Sequence, residues 1–319
     1  MELVRGLYNL RPEHRGCAAT IGSFDGVHLG HQAVLGQLAE RAGELHLPVT
    51  LITFEPQPRE YFTPELAPPR LSRFREKLEA LRRCGVERVL CLRFNAQLAN
   101  LSAADFIRRI LLEGLDVRYL VVGDDFRFGK GRTGDFSMLE QTGRTHGFPV
   151  VNMHTFNIGA SRVSSTRIRE ALRTGDLATA EALLGRSYRM SGRVAHGDKR
   201  GRTIGFPTAN IYLHRAVTPV DGVFAVEMFG VEGEPVPGVA NVGTRPTVDG
   251  TRSLLEVHLF DFDRDIYGRH VQVSFLKKLR EERRYASFEA LKQQILLDAE
   301  QARDYFRQSQ AGRQAWQPD

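Results

Sequence analysis

Over its first 185 positions the chain alternates short β-rich apolar runs with stretches of helical spacing. The runs are CAATIG (17–22), VTLITF (49–54), RVLCLRF (88–94), YLVVG (119–123) and PVVNM (149–153). Between them, Phe74, Leu78 and Leu81 recur at helical spacing and stop at Gly85. Ser102 and Asp105 form a capping box ahead of Phe106, Ile107 and Ile110, and Asp176 opens a short helix that Gly185 closes. This order predicts a parallel α/β sheet.

The pattern changes after Arg186. Short alternating stretches broken by Gly, Pro and Asn take over: VFAVEMF (223–229), LLEVHLF (254–260) and VQVSF (271–275). Closely spaced strands with turn signals between them predict an antiparallel barrel or sandwich. One helix closes this half, capped by Ser287, with Leu291, Ile295, Ala299, Ala302 and Phe306 along one face. The expected division is therefore residues 1–186 and 187–308, with a polar, disordered tail over 309–319.

Composition narrows the class of protein. A length of 319 residues favours two domains. No apolar run approaches the roughly 20 residues that span a bilayer, and MELVRGLYNLRPEHRG has no secretory h-region. Cys17, Cys84 and Cys91 are far apart and make no CxxC pattern, so neither zinc nor a disulfide framework is expected, and a reducing cytoplasm fits best. Lys and Arg exceed Asp and Glu by 44 to 38, which suits anionic substrates. These cations are scattered, with no dense block for a nucleic-acid backbone, so small molecules are the expected partners.

Two stretches in the first half carry candidate chemistry. After the strand ending at Ile21 comes Gly22-Ser23-Phe24-Asp25-Gly26-Val27-His28-Leu29-Gly30-His31, and then a helix. Glycines let the backbone approach a phosphate, a helix N-terminus offers free N–H groups, and two histidines three apart can face one anion. Taken alone, Arg162-Val163-Ser164-Ser165-Thr166-Arg167-Ile168-Arg169 is a plain helix N-cap with solvated arginines. Beside the histidine loop it becomes a second phosphate-binding helix N-terminus.

The second half holds SGRVAHGDKRGRTIGFPTANI (191–211) and no GxxxxGK[ST], which excludes a Walker-type kinase. Gly192, Gly197, Gly201 and Gly205 are interleaved with Lys199, Arg200 and Arg202, as in an exposed hairpin and loop. Thr208 and Asn210 supply hard oxygen ligands of the kind a magnesium ion takes. Leu255, Val257 and Leu259 face one side of a strand, and Glu256 and His258 the other.

GSFDGVHLGH and RVSSTRIR resemble the nucleotidylyltransferase signatures of the prokaryotic bifunctional riboflavin kinase/FAD synthetases. TFEPQPREYF (53–62), LSRFREKLEAL (71–81), LSAADFI (101–107) and VVGDDFRFGKGRTGD (121–135) match further, in the family's order. GRTIGFPTAN, GVANVGTRPT (238–247), LEVHLFDFDRDIYGR (255–269) and KKLREERRYAS resemble that family's kinase domain. The resemblance implies a Rossmann-like N-terminal domain and a six-stranded antiparallel barrel. It implies that riboflavin is phosphorylated to FMN in the barrel and that FMN is adenylylated to FAD in the first domain, with ATP and Mg2+. His28 and His31 would serve the α-phosphoryl transition state. Gly22, Phe24, Asp25, Gly26, Gly30, Arg162, Ser165, Thr166 and Arg169 would bind ATP there, and Pro58, Phe62, Asp125 and Phe128 would line the flavin pocket. In the barrel, Gly192, Gly197, Thr208 and Asn210 would bind ATP, with Thr208 and Asn210 also at magnesium, Glu256 as base and Arg280 near the flavin.

Three other readings are weaker. A class I aminoacyl-tRNA synthetase fragment would need a KMSKS-like lysine loop. A pyridine-mononucleotide or phosphopantetheine adenylyltransferase leaves the FPTAN half unexplained. A flavin-sensing regulator without chemistry is opposed by the intact His28, His31, Thr208, Asn210 and Glu256.

Overall fold

The structure, a computed structural model, describes residues 1–123, 125–153, 157–158, 161–196, 206–213, 215, 217–247 and 250–315. Its strands β1 (Glu2–Arg5), β2 (Cys17–Ile21), β3 (Val49–Glu55), β4 (Arg88–Arg93), β5 (Val117–Gly123) and β6 (Val150–Met153) form one parallel sheet in the order β1-β4-β3-β2-β5-β6. Ala19 in β2 pairs with Thr50 of β3 and Leu120 of β5. The apolar runs are continuous because both faces are covered. Leu51, Val89 and Val121 pack on one side with Leu35 and Leu38 of α1 (Leu29–Glu44). Ile52, Leu90 and Leu120 pack on the other with Phe106 and Ile110.

The helices follow the pattern read from sequence, with added short turns. After α1 come α2 (Pro58–Phe62), α3 (Phe74–Arg83), α4 (Ala96–Ala99) and α5 (Ala103–Phe106), which continues as a π-helical stretch over Ile107–Leu112. Then follow α6 (Phe136–His146), the two-residue strands β7 (Asn157–Ile158) and β8 (Ser161–Arg162), α7 (Ser165–Thr174) and α8 (Leu177–Leu184). Ser102 caps α5 by accepting from the Asp105 N–H at 3.0 Å, as its sequence position predicts. The strand β1 was not foreseen. Its four residues are too few to show a period, and it pairs along one side only, with β4.

The second half is a closed antiparallel barrel, ordered β10-β13-β12-β11-β14-β9. Its strands are β9 (Arg189–Ala195), β10 (Ala209–Tyr212), β11 (Gly222–Phe229), β12 (Val236–Thr247), β13 (Gly250–Leu259) and β14 (His270–Arg280). Closure decides between the barrel and sandwich that the pattern left open. Phe224 and Phe275 meet edge-on inside, with ring centroids 5.2 Å apart. Outside, α9 (Phe288–Ala315) lays Ala299 and Ala302 against Val223, Ala225 and Val239. The helix runs to Ala315, beyond the end expected at Gln308, because Gln, Ala and Arg sustain a helix without an apolar stripe.

Packing divides the chain elsewhere than the change in pattern at Arg186 suggests. One compact unit comprises Met1–Pro68 with Ser72–Ser165, the other Pro69–Leu71 with Thr166–Asp319. In the second unit, three successive carbonyls are held by side chains: Pro69 by Arg169 Nε at 2.7 Å, Arg70 by Arg215 Nη1 at 2.9 Å and Leu71 by the Tyr188 hydroxyl at 3.1 Å. Helix α8 packs on β14 and buries Leu177, Ala180, Leu183 and Leu184. Burying each leucine contributes about 2 kcal/mol. A fragment beginning at Thr166 should therefore melt several degrees above one beginning at Ser187. Equal melting temperatures in differential scanning calorimetry would show that α7 and α8 add nothing to the barrel.

Candidate active sites

In the parallel sheet the chain winds from β2 through β3 to β4 on one side, then resumes on the other side of β2 with β5 and β6. The crevice beyond the carboxyl ends of β2 and β5 is where such sheets bind ligands. Both segments leaving these ends carry predicted site residues. Gly22–His28 leads from β2 into α1, and Asp125 and Phe128 follow β5.

The β2–α1 loop holds a costly backbone. Phe24, Gly26 and Val27 have φ of 47°, 83° and 42°. For Val, with its branched Cβ, such a conformation costs about 1–3 kcal/mol and persists only where the surroundings enforce it. Asp25 supplies much of that enforcement. Its buried carboxylate accepts from the Ser72 N–H (3.0 Å) and the Ser72 hydroxyl (3.3 Å). The Ser72 hydroxyl oxygen accepts from the Gly26 N–H at 3.0 Å, and the Ser165 hydroxyl donates to the Asp25 carbonyl at 3.0 Å. The Asp25 carboxylate thus shapes the loop. Gly22 lies under Phe24: a Cβ there would stand 3.1 Å from the ring.

The loop delivers a stacked pair of imidazoles. His28 caps α1, its Nδ1 accepting from the His31 N–H at 3.2 Å, so a neutral His28 ring carries its proton on Nε2. The two rings lie 3.6 Å apart at 11°, with Phe24 stacked 4.5 Å beyond His31. Burial, then the nearby His28 and Lys77, hold His31 well below the ordinary histidine pKa. His31 Nδ1 is buried with no hydrogen-bond partner among the described residues, the kind of atom a bound ligand completes. Gly30 sits in the first turn of α1, whose amides lack intrahelical acceptors.

The remaining predicted residues of this half divide. Arg162 Nη2 and Asp125 Oδ2, assigned to different ligands, form an ion pair at 3.1 Å. Thr166 is exposed in the first turn of α7, and Arg169 bonds Pro69. Phe62 is 62% exposed beside Tyr61 and Phe94, with centroids 5.3 and 5.5 Å away, and Pro58 opens α2. Phe128 stands apart from this set. It is a core side chain between Phe106 and Phe126, and a Cβ on Gly134 would come within 2.6 Å of its ring. The half-buried neighbour Phe126 keeps more of its ring accessible. Ser72, Lys77, Tyr61, Phe94 and Phe126 were missed by sequence reasoning. Lys77 left a signal, a cation on the apolar stripe of Phe74, Leu78 and Leu81, and it is fully buried.

On the barrel, register brings the second set together. Glu256 of β13 pairs with Asn210 of β10 on one side and Asn241 of β12 on the other. Residues directly opposite on neighbouring strands share a face, so Asn210, Glu256 and Asn241 form one polar row outside the barrel. Leu255 and Val257, fully buried, face the interior. The Asn210 amide nitrogen donates to the Thr208 carbonyl at 3.4 Å, which leaves Oδ1 for a cation. His258, two residues along the same face as Glu256, meets the Pro207 carbonyl through Nδ1 at 2.9 Å. A cavity of about 460 Å³ lies beside Thr208, lined by Val194, Leu259 and the stretch Phe262–Tyr267.

Two of the predicted residues here also serve the packing of the barrel. Arg280 donates to Asp298 of α9 from Nε (2.9 Å) and Nη2 (2.7 Å), and from Nη1 to the Glu281 carbonyl, so it anchors the closing helix. Gly192 is a packing glycine, since a Cβ there would stand 2.5 Å from Ile211. Gly197, and Gly201 to Gly205 with its interleaved cations, lie outside the described residues.

A switch-point crevice with a histidine-capped helix, followed by a barrel bearing a carboxylate beside hard oxygen donors, defines a nucleotidyl-transferring domain joined to a small-molecule kinase domain. The comparisons agree. The FAD synthetase family matches residues 10–167, and the riboflavin kinase family matches residues 184–306. The bifunctional riboflavin kinase/FMN adenylyltransferase of Escherichia coli K12 is 53% identical over 307 residues, covering 96% of this chain and 98% of that protein. The Pseudomonas fluorescens protein of the same description is 55% identical over 304 residues, covering 95% and 97%. The chain belongs to the bifunctional riboflavin kinase/FMN adenylyltransferase family. A solved structure described as a macrolide-efflux protein of Streptococcus pneumoniae superposes with a TM-score of 0.79 at 31% identity, covering 94% of this chain and 98% of that one. No helix among the described residues is long and apolar enough to cross a membrane.

The depressed pKa of His31 gives a stability test. Below about pH 6.5 the unfolded chain binds a proton that the folded protein refuses, so stability is full above that value and falls as pH drops. The slope from this residue approaches about 1.4 kcal/mol per pH unit. Urea unfolding of His31→Gln should lose stability less steeply than the wild type between pH 7 and 5. Parallel slopes would mean that His31 protonates freely in the folded protein.

Proposed function

We propose that this chain converts riboflavin to FAD in two ATP-dependent steps, with the residues above in the following roles. The observation that carries the reading is that each family match holds its own donor set: the His28–His31 stack at a helix N-terminus in one, and the Asn210–Glu256–Asn241 row in the other.

In the first unit an FMN phosphate oxygen attacks the α-phosphorus of ATP, and the bond to the pyrophosphate oxygen breaks. The nucleophile is already an anion and needs no base. Charge growing on the α-phosphoryl oxygens and the leaving pyrophosphate needs donors, which the His28 Nε2–H and the first-turn amides of α1 supply. Burial keeps His31 neutral, so it stacks beneath His28 without opposing its orientation. Arg162 and Ser165 are the further ATP residues of this unit, and the exposed aromatic faces of Phe62 and Tyr61, beside the half-buried Phe94, suit a flavin ring.

In the barrel Glu256 takes the proton of the riboflavin 5′-hydroxyl as that oxygen attacks the γ-phosphorus and ADP leaves. The Thr208 hydroxyl and Asn210 Oδ1 fit Mg2+, a hard cation that fills its remaining positions with water and phosphate oxygens and neutralises phosphate charge when bound. The cavity beside Thr208, with Phe262 and Tyr267 in its wall, is large enough for the nucleotide base.

Two substitutions test the roles. His28→Asn keeps an N-cap acceptor but deletes the Nε2 donor, so adenylylation of supplied FMN should slow by about two to three orders of magnitude while riboflavin phosphorylation holds. A near-normal rate would reduce His28 to a helix cap. Glu256→Gln should slow FMN formation by about two to four orders and leave adenylylation intact. Near-normal FMN output, measured by separating the flavins, would return Glu256 to the solvated face of its strand.

A further inference from the structure

We propose that His258 is a positioning residue of the kinase reaction, acting on Thr208 through the Pro207 carbonyl. The inference rests on the reading of Thr208 as a nucleotide and metal ligand. Thr208 precedes β10, in a stretch, Phe206–Thr208, that has no strand pairing of its own. Something must fix that stretch if the Thr208 hydroxyl is to meet a phosphate-bound cation with angstrom accuracy.

The register shows what does. Asn210 pairs with Glu256 and Ala209 with Val257, so one further step along the strands sets Thr208 opposite His258. The His258 ring lies against Phe206, centroids 4.8 Å apart, and its Nδ1 is 2.9 Å from the Pro207 oxygen. A carbonyl only accepts, so Nδ1 carries the proton. His258 thereby clamps both residues before Thr208, one by its ring and one by its N–H. Phe260, 5.9 Å away and edge-on, and Val239 across the strand keep the ring from turning. The strand that carries the base thus also fixes the cation ligand, which ties the spacing of the proton acceptor and the phosphate site to two residues of a single β-strand.

Three variants of the full-length chain separate the N–H from the ring. Asn places its amide N–H where Nδ1 stands, Gln places it one bond further out, and Leu has none. Losing a hydrogen bond typically changes an equilibrium by about tenfold. His258→Leu and His258→Gln should each raise the KM for Mg-ATP in FMN formation by about tenfold, with a smaller change in kcat. His258→Asn should stay within about threefold of the wild type. Hydrogen–deuterium exchange, which needs no turnover, should show faster exchange over residues 208–212 in the Leu and Gln variants and not in Asn. Equal loss in all three variants would overturn the proposal in favour of ring packing, and wild-type kinetics or unchanged exchange in the Gln variant would overturn it outright. Thr208→Ala serves as the reference. If that variant keeps wild-type kinase activity, the metal-ligand reading falls; if it is slow while His258→Gln is not, the positioning role alone falls.

Discussion

The buried carboxylate of Asp25 accepts from the backbone and hydroxyl of Ser72, and those bonds hold a loop that has reason to relax. Phe24 and Val27 sit in left-handed backbone that neither favours, and both are nearly fully buried. Freed of Asp25, the loop would regain a broader conformation, and His28 would no longer meet the first turn of α1 as its cap. The histidine stack, the free amides of the helix and the crevice beyond β2 and β5 all follow from that one constrained turn. The glycines of the loop are needed for approach and conformation, and the aspartate for keeping them in place.

The barrel solves a different problem with a different device. On the proposed reading a neutral hydroxyl must lose its proton as it attacks, so a carboxylate is needed beside the phosphate site. Strand pairing provides this geometry. Glu256 is fixed between two asparagines by main-chain register, while alternate residues of the same strand fill the interior. The bidentate Arg280–Asp298 pair secures the closing helix against the outer face. Removing one partner of so buried a pair would strand the other charge, an expensive state.

Much of this was legible from the chain alone. Five of the six parallel strands announced themselves as apolar runs, because a sheet covered on both faces leaves no polar alternation to confuse the pattern. β1 did not, having four residues. The barrel was harder. β9 carries Gly192, β10 has four residues, and β12 contains Pro237, Gly238, Gly243 and Pro246, all of which blur a period of two. Motif matching supplied the strand count that periodicity could not. It also named His28, His31, Thr208, Asn210 and Glu256 as candidates; the fold stacks His28 on His31 and pairs Asn210 with Glu256 across two strands. Phe128 and Arg280, read as ligand contacts in sequence, also serve the fold: packing holds the ring and α9 holds the guanidinium. Asn241 was not singled out, and His258 was read only as sharing a face with Glu256, because only strand register reveals what stands opposite Glu256 and Thr208.

The central claim is that one chain runs two chemically distinct transfers, breaking ATP at the γ-phosphorus in the barrel and at the α-phosphorus in the parallel-sheet unit. Isotope position tests this directly. The wild-type chain is incubated with riboflavin and ATP labelled at either the γ- or the α-phosphate, and the flavins are separated. The account predicts γ-label in FMN and in the FAD made from it, and α-label in FAD but never in FMN. Label from the α-phosphate in FMN, or FAD that carries no α-label, would contradict it.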